Sequence, residues 1–109
     1  MQTEPNLVVA GKFSFDESRW EFKVDDTVIN FTKTEMELMK TFLMHDGHVL
    51  SRPVLLNLVW GYDMEVADKI NTRTIDMTVA RVRNKLKKHS IHIENIRGVG
   101  YKFSSEKET

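Results

Sequence analysis

An α+β domain, with short strands at both ends and helices between them, is what this sequence of 109 residues predicts. Three observations carry that expectation. Apolar and polar side chains alternate through residues 7–31, apolar side chains recur at helical spacing within residues 32–88, and two further apolar stretches flank Gly98-Val99-Gly100. Alternation puts every second side chain on one face of a strand, whereas a 3.6-residue repeat draws one apolar stripe along a helix.

In residues 7–15, Leu7, Val9, Phe13 and Phe15 are expected to share a face, with Gly11 between them. Asp16-Glu17-Ser18 reads as a turn, Trp20, Phe22 and Val24 as the inner face of the next strand, and Asp25-Asp26 as another turn. Ile29 and Phe31 face the same way in a further short strand. If Lys12 closes one strand and Phe13 opens another, the antiparallel sheet has four strands; otherwise it has three. Thr32 and Glu35 have the spacing of a capping box, in which each satisfies a backbone N–H that the first helical turn leaves unpaired. Met36, Leu38, Met39, Phe42 and Leu43 give that helix its apolar side, and Gly47 suits its C-terminal turn. Ser51 caps a second helix, with Pro53 in its first turn, Val54, Leu55, Leu58 and Val59 as its buried face, and Gly61 as its stop. Residues 62–71 have no consistent period and read as a loop. A third helix over residues 72–88 carries Ile75, Val79, Val82 and Leu86 on one narrow stripe, with Arg73, Met77, Ala80, Arg81, Asn84 and Lys88 opposite. Residues 93–97 and 101–104 then form a hairpin, in which both glycines of Gly98-Val99-Gly100 are expected to supply positive φ.

The domain is expected to span residues 7–104, with a linker remnant at 1–6 and a polar tail at 105–109. The chain has no cysteine, so disulfides and cysteine-held zinc are excluded. The polar residues 1–6 are not expected to be a signal peptide, and no apolar run comes near the ~20 residues of a membrane span, which makes the cytoplasm the expected location. The formal net charge is zero, but it is unevenly placed: residues 1–70 carry a net −5, whereas residues 71–102 hold 8 Lys/Arg against Asp76 and Glu94, a net +6. One basic working face on a neutral chain is the electrostatic footprint of nucleic-acid binding.

Three helices with short connections, followed by a hairpin, outline a winged helix-turn-helix. In that arrangement the third helix enters the DNA major groove. Arg81 is central on its outer side and can pair with guanine N7 and O6; Arg73 is placed for a base edge or a phosphate, and Asn84 for adenine or a phosphate. Met77 and Ala80 are compact enough for close approach, and either can touch a thymine methyl. Arg83, Lys85, Lys87 and Lys88 are expected at phosphates or in solvent. Arg97, at the hairpin tip, can enter a narrow minor groove.

Four stretches in order resemble the DNA-binding effector domains of OmpR/PhoB-type response regulators. They are Phe31, Thr32, Thr34 and Glu35 at the first helix; LNLVWG at 56–61; RTIDMTVARVRNKL at 73–86; and IRGVGYKF at 96–103. The resemblance covers nearly the whole chain, from about Leu7 to Phe103. It implies a four-stranded N-terminal sheet, three helices and a wing. It also implies transcription regulation through tandem dimers on direct-repeat promoter DNA. Arg73, Arg81 and Arg97 align with DNA contacts of the family, and Thr74 with a phosphate contact. The loop at 61–71, with Gly61, Tyr62, Asp63, Glu65 and Asp68, corresponds to the region that meets RNA polymerase. Two positions depart from the pattern: Ala80 stands where many members are basic, and Thr78, in the DNA-contact set, stands where several have His. The acidic receiver domain of such regulators has no counterpart here, so the chain is expected to be an effector domain set behind a receiver or, as in some relatives, fused to a membrane segment.

Two other readings compete. A docking module on the same fold, without DNA binding, would not need Arg81 and Arg97 exposed together. An enzyme is disfavoured: His45/His48 and His89/His92 have weak metal spacing, with no cysteine and no Gly-rich phosphate loop beside them. Neither catalytic residues, nor a metal, nor a cofactor is expected.

Overall fold

The computed structural model describes residues 6–67, 69 and 72–105. Residues 1–5 of the expected linker, 106–109 of the expected tail, and Asp68 lie outside the described residues. Four antiparallel strands open the fold: β1 (Leu7–Ala10), β2 (Phe13–Asp16), β3 (Glu21–Val24) and β4 (Thr27–Ile29), in that spatial order. The chain does turn between Ala10 and Phe13, and this shifts the faces from those expected. Ala10 pairs with Phe13 and Val8 with Phe15, so Val8 and Ala10 face inward, while Leu7 and Val9 are exposed opposite Asp16 and Ser14. A two-residue turn exchanges the parity of the strand that precedes it, which simple alternation across 7–15 does not reveal. Trp20 is likewise in a turn, with a φ of 53°, and packs edge-on against Phe15.

Helix α1 (Lys33–Met44) starts at the expected capping box, where Glu35 N–H donates to the Thr32 hydroxyl and Thr32 N–H to the Glu35 carboxylate. Its five expected apolar residues are all buried. Strand β5 (Val49–Ser51) leads directly into α2 (Arg52–Trp60), which Ser51 caps and Gly61 ends in the left-handed region. On α2 the buried pair is Leu55 and Leu56; Leu58, expected inside, is 45% exposed. Helix α2 packs against α1, α4 and the segment that follows it, and none of the described residues covers Leu58. The segment expected to be all loop contains one helical turn, α3 (Met64–Ala67), closed by bonds from Val66 and Ala67 N–H to the Asp63 carbonyl. Four residues are too few to leave a period in a sequence.

Helix α4 (Arg73–Leu86) ends in a single 3₁₀ turn at Lys87–His89. Strands β6 (His92–Ile96) and β7 (Gly100–Ser104) form the expected hairpin, but β5 joins it as a third strand, in the order β5-β7-β6. That closeness explains Gly100. Of the two wing glycines, Gly98 has positive φ, at +77°, and Gly100 does not; a Cβ on Gly100 would lie 2.0 Å from the Leu50 carbonyl oxygen. Gly98 therefore serves the turn, whereas Gly100 makes room for the crossing backbone. Phe103 of β7 meets Phe13 edge-on at 5.4 Å and stacks with Phe42 of α1 at 6.1 Å, so both sheets share one core with the helices. The ends are held as well: Asn6 accepts a bond from Glu17 N–H, and Ser105 is pinned through its N–H and hydroxyl to the Asp46 carboxylate.

Candidate nucleic-acid interface

The candidate face is built on α4. Ile75, Val79, Val82 and Leu86 are fully buried, and this stripe sets the rotation of the helix about its axis. At about 100° per residue, the flanks carry Asp76 and Arg83 on one side and Thr78 and Lys85 on the other. Each flank is tied down. On the α1 side, Lys85 Nζ donates to Glu35 Oε1 at 2.6 Å and to the Asn30 carbonyl at 3.1 Å. Burial pushes the Glu35 carboxyl up, but the Lys85 ammonium and the Thr32 N–H and hydroxyl more than reverse this and hold it below its ordinary value. On the other flank, Arg83 donates to the Ile93 carbonyl and lies over the Tyr101 ring. Arg83 and Lys85, expected at phosphates or in solvent, are therefore bound within the protein: long basic side chains flanking a buried stripe reach neighbouring elements before they reach outward.

Between the flanks, Arg73, Thr74, Met77, Ala80, Arg81, Asn84 and, past the helix end, Lys87 and Lys88 are exposed. Arg81 makes no hydrogen bond or ion pair among the described residues. Together with Thr74 and Thr78 it lines a concavity of about 270 Å³ completed by Thr32, Thr34 and Glu35 of the α1 start and Trp60 of the α2 end. Thr78 departs from the expected contact set. It is only 4% exposed, and its hydroxyl donates to the Thr74 carbonyl at 2.9 Å. Its rotation toward α1 explains the burial. The sequence pattern marks neither Trp60 nor Thr34 as a surface contact. Trp60 stands in one of the four resembling stretches, whereas Thr34 becomes a wall of the concavity only through packing of α1 against α4.

At the wing, Arg97 and Gly98 occupy the exposed tip, closed by a bond from Val99 N–H to the Ile96 carbonyl. Behind it, Asp76 Oδ1 accepts from Tyr101 Oη at 2.5 Å and from Arg52 at 3.1 Å. The Arg52 guanidinium lies 5.1 Å from the Tyr101 ring centre, and Arg52 N–H donates to the Val99 carbonyl. Burial, then the bond to Asp76, raises the Tyr101 phenol above its ordinary value of 10.0, so it remains a donor at neutral pH. Nothing in the local sequence marks Arg52 or Tyr101 as partners of Asp76; they meet only when α2, α4 and the wing are assembled.

On the α2–α3 side, Gly61, Tyr62, Asp63 and Glu65 are exposed, with Leu58, Met64 and Val66 beside them as exposed apolar side chains. The buried Ala67 and a bond from Asn57 Nδ2 to the Tyr62 carbonyl hold this segment to the domain. Two of the histidines face local backbone, His45 Nδ1 against the Thr41 carbonyl and His48 Nδ1 against the Asp46 carbonyl. Among the described residues no helix is long and apolar enough to cross a membrane.

Comparison with known proteins agrees with this geometry. The family described as "Transcriptional regulatory protein, C terminal" matches residues 26–103. The response regulator ArlR of Staphylococcus aureus is 33% identical over 102 residues, covering 92% of this chain but 45% of ArlR, so the chain spans less than half the length of that relative. The DNA-binding domain of Bacillus subtilis CssR is 32% identical with a TM-score of 0.68, covering 84% of this chain and 98% of that domain. The Klebsiella pneumoniae RstA DNA-binding domain, solved in complex with the RstA box, shares the fold at a TM-score of 0.77 and 19% identity, covering 92% and 98% of the two chains. With a buried-stripe helix, a wing and a family match across most of its length, the chain belongs to the OmpR/PhoB-type DNA-binding effector domains of response regulators.

Proposed function

We propose that this domain reads a specific duplex DNA site by laying the outer side of α4 in the major groove and the tip of the β6–β7 wing in the minor groove, as the effector of a transcription regulator. The observation that carries the reading is the division of cations on α4. Lys85 and Arg83 are bonded to Glu35 and Ile93, whereas Arg81 and, just past the helix end, Lys87 and Lys88 are exposed with no such bond among the described residues, beside compact Met77 and Ala80. A helix held on three sides presents a rigid fourth side, so the base-reading groups need little ordering on binding. Arg81 is the base-reading residue, with Arg73 and Asn84 beside it; Met77 supplies apolar contact, and Thr74, Lys87 and Lys88 meet phosphates. Arg97 enters the minor groove, whose negative potential draws arginine. Thr78 supports the helix from within.

Within the same reading, two copies bind direct-repeat half-sites side by side, the surface at Gly61, Tyr62, Asp63 and Glu65 meets RNA polymerase, and the whole regulator acts in the cytoplasm. Its exposed Leu58, Tyr62, Met64 and Val66 support a protein-contacting role for that surface. The test is selection of bound sequences from a random duplex pool at two salt concentrations. Enrichment of a repeated motif, with binding that weakens as salt rises, is expected. Recovery of no motif at either concentration would refute sequence reading and favour a docking module.

A further inference from the structure

Most contacts of α4 explain how it is held; the Asp76 cluster also connects it to the wing. Asp76 is the only acidic residue on α4, on the segment that otherwise carries the positive charge. A carboxylate there repels DNA phosphates, so its presence on that helix calls for an offsetting role. Both bonds to it converge on one oxygen, Oδ1. Tyr101 lies four residues after Arg97 on the strand leaving the wing tip, and Asp76 lies five residues before Arg81 on the helix. Tyr101 is 4% exposed, with its hydroxyl directed to Asp76. Arg52, the first residue of α2, spans the junction, with its guanidinium on Asp76 and its N–H on the Val99 carbonyl in the wing loop.

We propose that Tyr101 is a positioning residue: its hydroxyl, bonded to Asp76, locks the wing to the first turn of α4, so that Arg97 and Arg81 engage one DNA site as a single rigid unit. The proposal rests on the DNA reading above. Without the bond the wing remains folded, since its strands pair with each other and with β5. What is lost is the fixed offset between wing tip and helix. Arg97 then contributes less, because its placement costs entropy at each binding event.

The experiment is a double-variant cycle on affinity for a duplex selected by the wild-type domain, using Tyr101→Phe, Arg97→Ala and both together. Tyr101→Phe keeps the ring under the two guanidinium groups and removes one oxygen, and urea unfolding of each variant establishes the folded fraction. Tyr101→Phe is expected to weaken binding about threefold to tenfold, and to weaken it less than twofold once Arg97 is alanine. A purely structural role predicts losses that multiply in the double variant; that result, or unchanged affinity of Tyr101→Phe, overturns the lock while leaving DNA binding intact. Wild-type domain that binds no selected duplex overturns the DNA reading and the lock together.

Discussion

The two ties on α4 lead to a prediction that separates reading DNA from holding the helix, with Arg81→Ala and Lys85→Ala as the paired perturbations. Arg81 is exposed, with no hydrogen bond or ion pair among the described residues, so its truncation leaves no donor or acceptor stranded. Its effect on folding should stay within about 0.5 kcal/mol, the ordinary range for a surface change. Its effect on specific DNA affinity should be about 1–3 kcal/mol, the worth of a bidentate base contact, or roughly fivefold to 150-fold. Lys85 is the opposite case. Its ammonium bonds Glu35, whose side chain is 3% exposed, while Lys85 itself is 35% exposed. Removing one member of a fully buried pair costs about 3–5 kcal/mol, and an exposed pair is worth at most about 1 kcal/mol. A half-screened ammonium on a buried carboxylate falls between, and about 1–2 kcal/mol of folding stability is expected to be lost. The assays are urea unfolding and titration of the selected duplex by fluorescence anisotropy at fixed salt. If Lys85→Ala loses affinity with its stability intact, Lys85 is a DNA contact and the assignment of the flanks is wrong. If Arg81→Ala retains full affinity, α4 does not read the site through that face.

Other expectations follow from the same contacts. Gly100→Ala places a Cβ against the Leu50 carbonyl, which must move; we expect a loss of about 1–3 kcal/mol in thermal or urea unfolding, and an unchanged midpoint would mean that β5 and β7 are further apart than described. Because the folded-state pKa of Glu35 is depressed, its ionic contribution is fully present above the ordinary carboxyl value of 4.5 and is lost as pH falls through the lower folded value. Stability should therefore decline less steeply in Glu35→Gln than in wild type as pH falls below 4.5, and parallel curves would refute the depression. Lys87→Ala should weaken binding almost equally across sequences and make the salt slope shallower by about one, whereas a loss confined to one base position would contradict its phosphate role. On tandem half-sites about 10–10.5 bp apart, a shift of one half-site by half a helical turn should abolish joint binding; indifference to the shift would rule out a rigid pair of domains.

Much of this molecule is written in local pattern. The capping box at Thr32 and Glu35, the Ser51 cap and the Gly61 stop involve residues a few positions apart, so chain geometry alone places them. The stripe of Ile75, Val79, Val82 and Leu86 decides which side of α4 is buried, and with it that Arg73, Met77, Arg81 and Asn84 face outward. The four resembling stretches supplied the family. What escaped was decided at longer range. The parity of β1 depended on a turn that only pairing with β2 reveals, and β5 is three residues long, visible only through its partner β7. Thr78 resembled its neighbours until α1 covered it, and Arg83 and Lys85 resembled free cations until Ile93 and Glu35 came within reach.

Local spacing thus determined by itself that this chain carries a positively charged amphipathic helix followed by a glycine-turned hairpin, because periodicity and capping act within a few residues. Assembly alone decided which of those charges remain exposed and how the hairpin is fastened to the helix. A charged side chain takes whatever partner packing brings to it, and Asp76, Arg52 and Tyr101 come from three elements that meet only in the folded protein.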